Sequence, residues 1–579
     1  LDLQYRLSSN LTMNAAFNPD FGQVEVDPAV VNLGVYETFF EEKRPFFIEG
    51  KEIFSFGADG TSSNGLFYTR RIGRAPSLAP TAFSDVPSAT TILGAAKMSG
   101  KTAGWSLGIL EAVTAREDVR MLAGDGSTER TTVEPLANYF VGRARREYRG
   151  GQSLLGGIVT AVNRDLSSDE TRTALHEGAY AGGIDFRHEF RNRSWLILGD
   201  AQLSHVRGST AAITATQRRS NHYFQRPDAD HLEVDTLATA LTGYSATLSL
   251  VKQGGQHWRG FVGAGVVSPK YEVNDLGFAS RTDRRDVQAS LTYLQQRPGH
   301  TWRRWDISAQ GRSEHNYDWQ SIYNFAILKA TAQTLGYWSV SATLQRTFST
   351  YDDRLTRGGP LARRPAATVA SFSVSTDGRK PVTASLSSNG TTLEYGGWGW
   401  GTGVKLGVKT SPRWNLSAGP TVSRNFTPAQ YVTQVVDQAY LPTFGRRYIF
   451  APLTLTSLGL EARLNMTFSP VLSLETYVQP LLSSGDYGHA AQLVAPGTYR
   501  FDSYDGQAPS RGFNLRSLRG NAVLRWEWRQ GSTLYVAWQQ RRSDLASYGD
   551  FDLGRDQRAL FDARPDNIFL VKMNYWFNP

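Results

Sequence analysis

The sequence predicts an all-β fold, a transmembrane antiparallel β-barrel of about 24 strands (roughly 22–26) with an internal plug-like segment. Three observations lead there. Apolar and polar residues alternate with period two along most of the chain. Short polar turns alternate with longer, irregular loops. Mean hydropathy is only −0.37, and no run of about 18 apolar residues exists from which a membrane helix could form. A barrel strand escapes that last limit because only every second side chain meets lipid.

The clearest hairpin carries the alternation on both arms. Leu458, Leu460, Ala462, Leu464, Met466 and Phe468 fall on one face, and Ser457, Gly459, Glu461, Arg463, Asn465 and Thr467 on the other. After a turn at Ser469-Pro470 the chain returns with Leu472, Leu474 and Val478 against Ser473, Glu475 and Gln479. The pattern recurs at Tyr180/Ile184/Phe186 against Asp185/Arg187/Glu189, which turn at Arg191–Arg193 into Trp195 and Ile197. It recurs at Val404/Leu406/Val408 against Lys405/Lys409, and at Leu524/Trp526/Trp528 against Arg525/Glu527/Arg529.

Short turns are expected at Ser8–Asn10, Ser99–Lys101, Arg149–Gln152, Gln253–Gln256, Arg297–His300, Asp377–Lys380, Ser411–Arg413 and Arg529–Ser532. Long loops are expected at 116–133, 207–240, 268–284, 351–364, 425–445, 483–513 and 543–565. Short turns on one side and long loops on the other are the outer-membrane arrangement, with the short side periplasmic. The last strand alternates Phe569, Val571, Met573, Tyr575 and Phe577 with Leu570, Lys572, Asn574 and Trp576. It resembles the terminal aromatic signal read by the barrel-assembly machinery. No signal peptide precedes Leu1, which reads as a processed or trimmed start.

One segment breaks the alternation, and it divides the chain into first barrel strands (1–18), an acidic insert (19–65) and the remainder of the barrel (66–579). Between 20 and 59 there are nine acids and three bases, 3 − 9 = −6, which leaves 9 − (−6) = +15 elsewhere. An acidic insert is complementary to a basic wall, so it is expected inside the lumen, paired with Arg143, Arg145 and Arg187. Asp27 as N-cap, Pro28 and the four-residue spacing of Val31, Val35 and Phe39 predict a short amphipathic helix. Phe39, Phe40, Phe46 and Phe47 are expected to form the insert's own small core. Glu41, Glu42, Lys43, Arg44, Glu49, Arg70, Arg71 and Arg74 are the candidate network that seats it on the wall.

Catalytic chemistry finds little support. The nine His include no HExxH pair, and no G-x-S-x-G elbow occurs. Gly94–Thr102 has five residues between its glycines where a phosphate loop needs four, so it is set aside. Asp228-Ala229-Asp230-His231 is better read as a solvated loop than a cation site, and Gly397–Gly403 as a place where strands approach closely. The expectation is no enzyme, no cofactor and no metal. The +9 charge does not imply nucleic acid, because only 11 of the 62 basic residues are Lys and the Arg lie beside acids, as in Glu461/Arg463 and Arg525/Glu527. Outer arginines near loop bases suit lipopolysaccharide phosphates instead.

Several stretches carry a resemblance: Asn18–Glu25 with Glu37–Gly50, then Tyr68–Arg74, Ile92–Lys97, Tyr351–Pro360, Phe444–Tyr448 and Ser517–Asn521. Together they resemble a little-characterised family of outer-membrane barrels in Gram-negative bacteria. Its members typically carry an N-terminal domain similar to carbohydrate-binding family nine. That domain is not seen here, so no sugar-binding role transfers, and the resemblance implies no activity. Two function classes follow. One is a plugged channel or translocation pore for a solute or polypeptide in the cell outer membrane. The alternative is a non-conducting anchor or assembly component of a surface complex. Lipid and lipopolysaccharide are expected partners of either, with periplasmic or surface proteins as further candidates.

Overall fold

The computed structural model describes residues 2–19, 27–57, 64–78, 85–122, 126–508 and 512–576. Motif residues 20–26, Asp59 and the terminal Phe577 lie outside the described residues. Among those described, 25 strands belong to one antiparallel sheet. Two of them, Ala491–Leu493 and Phe501–Ser503, are three-residue pieces. Closure of the sheet on itself is not detected among the described residues.

Tight connections form where the sequence supplies left-handed backbone. Arg191, Asn192 and Arg193 all take positive φ (49°, 53° and 61°) between strands Gly178–Phe190 and Trp195–Arg207. The expected turn at Ser99–Lys101 falls slightly later, at Ala103-Gly104, because Gly104 at φ 80° carries the reversal without a Cβ clash. Other lengths differ from expectation as well. Residues 425–436 are strand, not loop: Trp414–Val436 and Arg446–Ser469 pair as strands of 23 and 24 residues. Pro428 hid this, since it breaks the alternation, but the register shift between Thr427 and Gln430 absorbs it as a bulge. Thr69–Arg71 is a 3-10 turn.

The chain forms two compact units. The first comprises Leu1–Asp20, Gly34–Ala289 and Arg312–Ile322, and the second Phe21–Leu33, Ser290–Gly311 and Tyr323–Pro579. In the first, a row of paired positions crosses neighbouring strands from Ile109 through Gly142, Val159, Gly182 and Leu203 to Tyr244. Its large members are exposed, Leu203 by 65% and Val159 by 54%. The row one residue over, Lys97–Leu110–Val141–Thr160–Ala181, faces the other way. Lys97, Leu110 and Val141 are each almost wholly buried. The face exposed to the surroundings is therefore apolar, and the covered face holds the charge, which inverts the pattern of a soluble sheet.

The second unit repeats the inversion. Leu328, Leu344, Ala370, Gly390 and Trp400 pair in one row, while Lys329, Thr343, Ser371, Asn389 and Gly401 form the adjacent row on the opposite face. Glycines 399, 401 and 403 admit the side chains of Asn425, Asn389 and Ser387, the close approach expected of that stretch. Leu458–Phe468 and Ser457–Thr467 keep their expected opposite faces, since the strand pairs without a shift until Thr467. In the terminal strand Asp566–Asn574, Phe569, Val571 and Met573 are 65–75% exposed.

Candidate functional site

Residues 27–57 are not a helix packed on itself. No helix occupies 28–39; the helix is Pro45–Ile48, with Pro45 in its first turn. Val30, Val31, Asn32, Gly34 and Val35 are poor helix formers, and the four-residue spacing of apolar positions did not outweigh them. Pro45 instead has the fixed φ that suits a first helical residue. The chain runs extended and uses its main chain to meet the sheet.

In the first unit, residues 34–57 lie on the covered, charged face. Lys97 donates to the carbonyls of Phe46 (2.5 Å) and Glu49, and its ammonium sits 5.1 Å from the Phe46 ring centroid. Arg143 donates to the Ser55 carbonyl (3.1 Å) and lies 5.4 Å from the Phe56 ring centroid. Glu49 accepts from Gln4 and Asn14, both at 3.0 Å. Gly108 leaves the space that Phe54 fills: a Cβ there would lie 2.9 Å from its ring.

The Glu42–Arg44 pair stitches this segment to 69–72. Arg44 contacts Glu42 through two nitrogens (2.9 and 2.7 Å) and donates to the carbonyls of Ile72 (2.7 Å) and Thr69 (2.8 Å). Burial alone would raise the Glu42 carboxyl, but the Arg44 guanidinium overrides it and holds the group below its usual range. Arg71 forks onto Glu37 (both contacts 2.8 Å) and donates to the Gly277 carbonyl at 2.9 Å. Phe39 stacks on Tyr68 and meets Phe278 edge-on.

In the second unit, residues 27–33 are held mainly by their backbone. Arg519 donates to the Asp27 carbonyl, and Gln479 accepts from the Ala29 N–H at 3.1 Å. Arg357 and Gln430 both donate to the Leu33 carbonyl, at 2.9 and 3.3 Å.

The expected network is thus rearranged. Arg44 and Glu42 meet as a pair. Arg70 donates to the Glu41 main chain, at 3.2 Å. Lys43 uses its own N–H on Glu42, Arg74 turns to Ser77, and Glu49 takes amides rather than arginines. Among the described residues the expected pairing of insert acids with Arg143, Arg145 and Arg187 is not found. Arg143 pairs with Asp185 and Arg187 with Glu189, while the Nε of Arg145 has no partner among the described residues. Arg187 meets an acid on its own strand and Arg143 one that lies across the intervening strand Ser153–Arg164, and Arg143 reaches the insert through the Ser55 carbonyl instead. Phe46 and Phe47 do pack together, edge to face at 5.0 Å, but Phe39 belongs to the Tyr68–Phe278 cluster.

Glu37, Lys97, Gln479 and Arg519 were missed as candidates, although a signal was present. Each of the stretches Tyr68–Arg74, Ile92–Lys97, Tyr351–Pro360 and Ser517–Asn521 supplies a residue that touches the insert: Arg71, Lys97, Arg357 and Arg519.

The loops of the first unit carry buried polar clusters of their own. His222 lies 2.9 Å from Glu272, whose carboxyl burial would raise but the imidazole holds down at about 2. Asp275 joins Arg164 (2.7 Å) and His176 (2.8 Å). His231 bridges Asp283 (2.9 Å) and Asp318 (2.6 Å). Among the described residues no group of three ligands is placed to hold a metal. Burial opposes the charge on His231, but the two carboxylates prevail and raise its affinity for a proton. A raised folded value gives stability that is full below about 6.5, the unfolded value, and is lost as pH rises through the folded one. The protection of amides in residues 228–235, taken relative to their intrinsic exchange rates, should therefore fall as pH rises above about 6.5 in the wild type and stay level in His231→Gln. Parallel profiles for both would disprove the bridge.

Among solved structures, the chain is similar to an anion-selective porin from Comamonas acidovorans at 9% identity. The match covers 57% of this chain and 91% of that one, with a TM-score of 0.25. No curated protein matches the chain. The model of the family described as "Domain of unknown function (DUF5916)" matches residues 1–578, and the chain belongs to that family.

Proposed function

We propose that the chain is an outer-membrane β-barrel of a Gram-negative cell and that residues 19–65 plug its pore, making it a gated channel or translocation pore for a solute or polypeptide. One observation carries this reading: the described residues of the insert touch the charged face of each unit's sheet, while the opposite face exposes rows of Leu, Val, Ile and Trp. An exposed apolar face that size needs lipid, and the charged face with its extended occupant needs an enclosed, wet interior. The resemblance to outer-membrane barrels agrees with it. On this reading the chain is not a hydrolase or transferase and has no nucleic-acid partner. Its outer face meets lipid and lipopolysaccharide.

Deleting residues 27–57 should raise single-channel conductance in planar bilayers severalfold and admit small antibiotics to cells. A non-conducting anchor would stay silent in both forms, and an intact protein already as conductive as the deletion would rule out a plug. Arginine at Leu460 should lower the yield of folded, heat-modifiable protein by the cost of a midplane charge, about 2–4 kcal/mol. Arginine at Asn465, on the opposite face, should be tolerated. Equal yields would sink the assignment of faces.

A further inference from the structure

We propose that Arg519 and Arg541 form a binding site for small multivalent carboxylates and phosphates, which Asp27 of the insert occupies in the closed state. The proposal rests on the pore reading for its context, but the site itself stands on local geometry in the second unit.

Arg519 and Arg541 are direct register partners on strands Phe513–Arg529 and Ser532–Ala546. Side chains directly opposite one another start only about 4.5–5.5 Å apart, and like charges there destabilise the pair of strands. Elsewhere on this face arginines are offset by acids: Arg463 contacts Glu461 at 3.0 Å and Arg525 contacts Glu527 at 3.4 Å. Arg541 is exposed, and although Asp566 lies opposite it in register on the strand beyond, no carboxylate among the described residues forms an ion pair with it. What faces Arg519 is Asp27, whose carbonyl accepts from Nη1 and whose carboxylate attracts the guanidinium while Arg541 repels it. The Nε of Arg519 is buried with no acceptor among the described residues. Its cross-strand neighbour on the other side is Gln479, which holds the Ala29 N–H.

Two guanidinium groups side by side offer two planar forks, the arrangement that carboxylate and phosphate oxygens satisfy in pairs. Asp27 supplies one carbonyl and one carboxylate to that arrangement and leaves Nε unfilled. A citrate or phosphate brings more oxygens than Asp27 can. It would therefore compete for the arginines and free residues 27–29 from Gln479, so that the solute itself loosens the insert at this wall.

The test uses the full chain, folded in detergent and titrated calorimetrically with citrate and, separately, inorganic phosphate. Binding should weaken about tenfold or more in Arg519→Gln and in Arg541→Gln, since each loses a charge-assisted contact, and should tighten in Asp27→Asn. Arg541 is exposed, so Arg541→Gln reports on the site even where Arg519→Gln folds poorly. Equal affinity in wild type and Arg541→Gln would overturn the site, as would absence of binding in both wild type and Asp27→Asn. Conductance is measured apart from this. Citrate binding with no conductance in any variant supports the site and removes the pore reading. A conducting deletion variant beside a wild type and an Asp27→Asn that bind no anion removes the site and leaves the pore reading in place.

Discussion

Arg143→Ala should destabilise the folded protein by about 3–5 kcal/mol, the cost of stranding one member of a buried ion pair. Arg143 and Asp185 meet through two contacts of 2.7 Å. Their strands are not neighbours: Ser153–Arg164 runs between them, and the bridge passes over Gly156. A Cβ at that glycine would stand 2.5 Å from the carboxylate and 2.6 Å from the guanidinium. Gly156→Ala should therefore disturb the same bridge from beneath. Truncating Arg143 leaves the Asp185 carboxylate, 8% exposed, without its partner and also removes the donor to Ser55. Arg143→Met with Asp185→Leu should recover much of the loss, because a buried pair replaced by apolar groups is often close to neutral. Urea titration followed by heat-modifiable migration reads both. An unchanged midpoint for Arg143→Ala would mean that the bridge contributes nothing.

Legibility in the sequence followed the range of each interaction. Face assignments such as Leu458–Phe468 against Ser457–Thr467 were readable because a strand has period two, and each side chain's face follows from its neighbours. Turn positions were readable to within a few residues, Ala103-Gly104 being the instructive miss. The insert's seat was not readable. Its contacts join residues hundreds of positions apart, as Arg519 joins Asp27, and they end on main-chain carbonyls that no residue type announces. Counting opposite charges suggested that the insert acids pair with Arg143 and Arg187, but the pairing went to Asp185 and Glu189, which register brings closer. The helix misread at 28–39 has the same origin, since spacing was weighed and the β-branched and glycine residues within it were not.

Arg44→Ala should release the insert. Arg44 is the one side chain that joins Glu42, the carbonyls of Thr69 and Ile72, and the face of Phe47 at 4.3 Å. Both members of its ion pair are 10% exposed or less. Removing it strips two carbonyls of a donor and a buried carboxylate of its counter-charge, leaving that carboxylate the N–H groups of residues 43 and 44, about 3–5 kcal/mol by the same reasoning as above. The loss falls on the insert's attachment, so residues 27–57 should become protease-sensitive while the strands keep their heat-modifiable fold. The acid limb gives an independent check. Glu42 titrates below its ordinary value of 4.5, so the stability it contributes is present above that value and is lost as pH falls through its folded one. Wild-type protein should therefore hold its insert at neutral pH and loosen it in strong acid, whereas Arg44→Ala should be loose at both. Arg44→Lys should fall between, because an ammonium keeps the charge and loses the fork. If Arg44→Ala at neutral pH resists protease as well as wild type does, the insert is held by something other than this arginine.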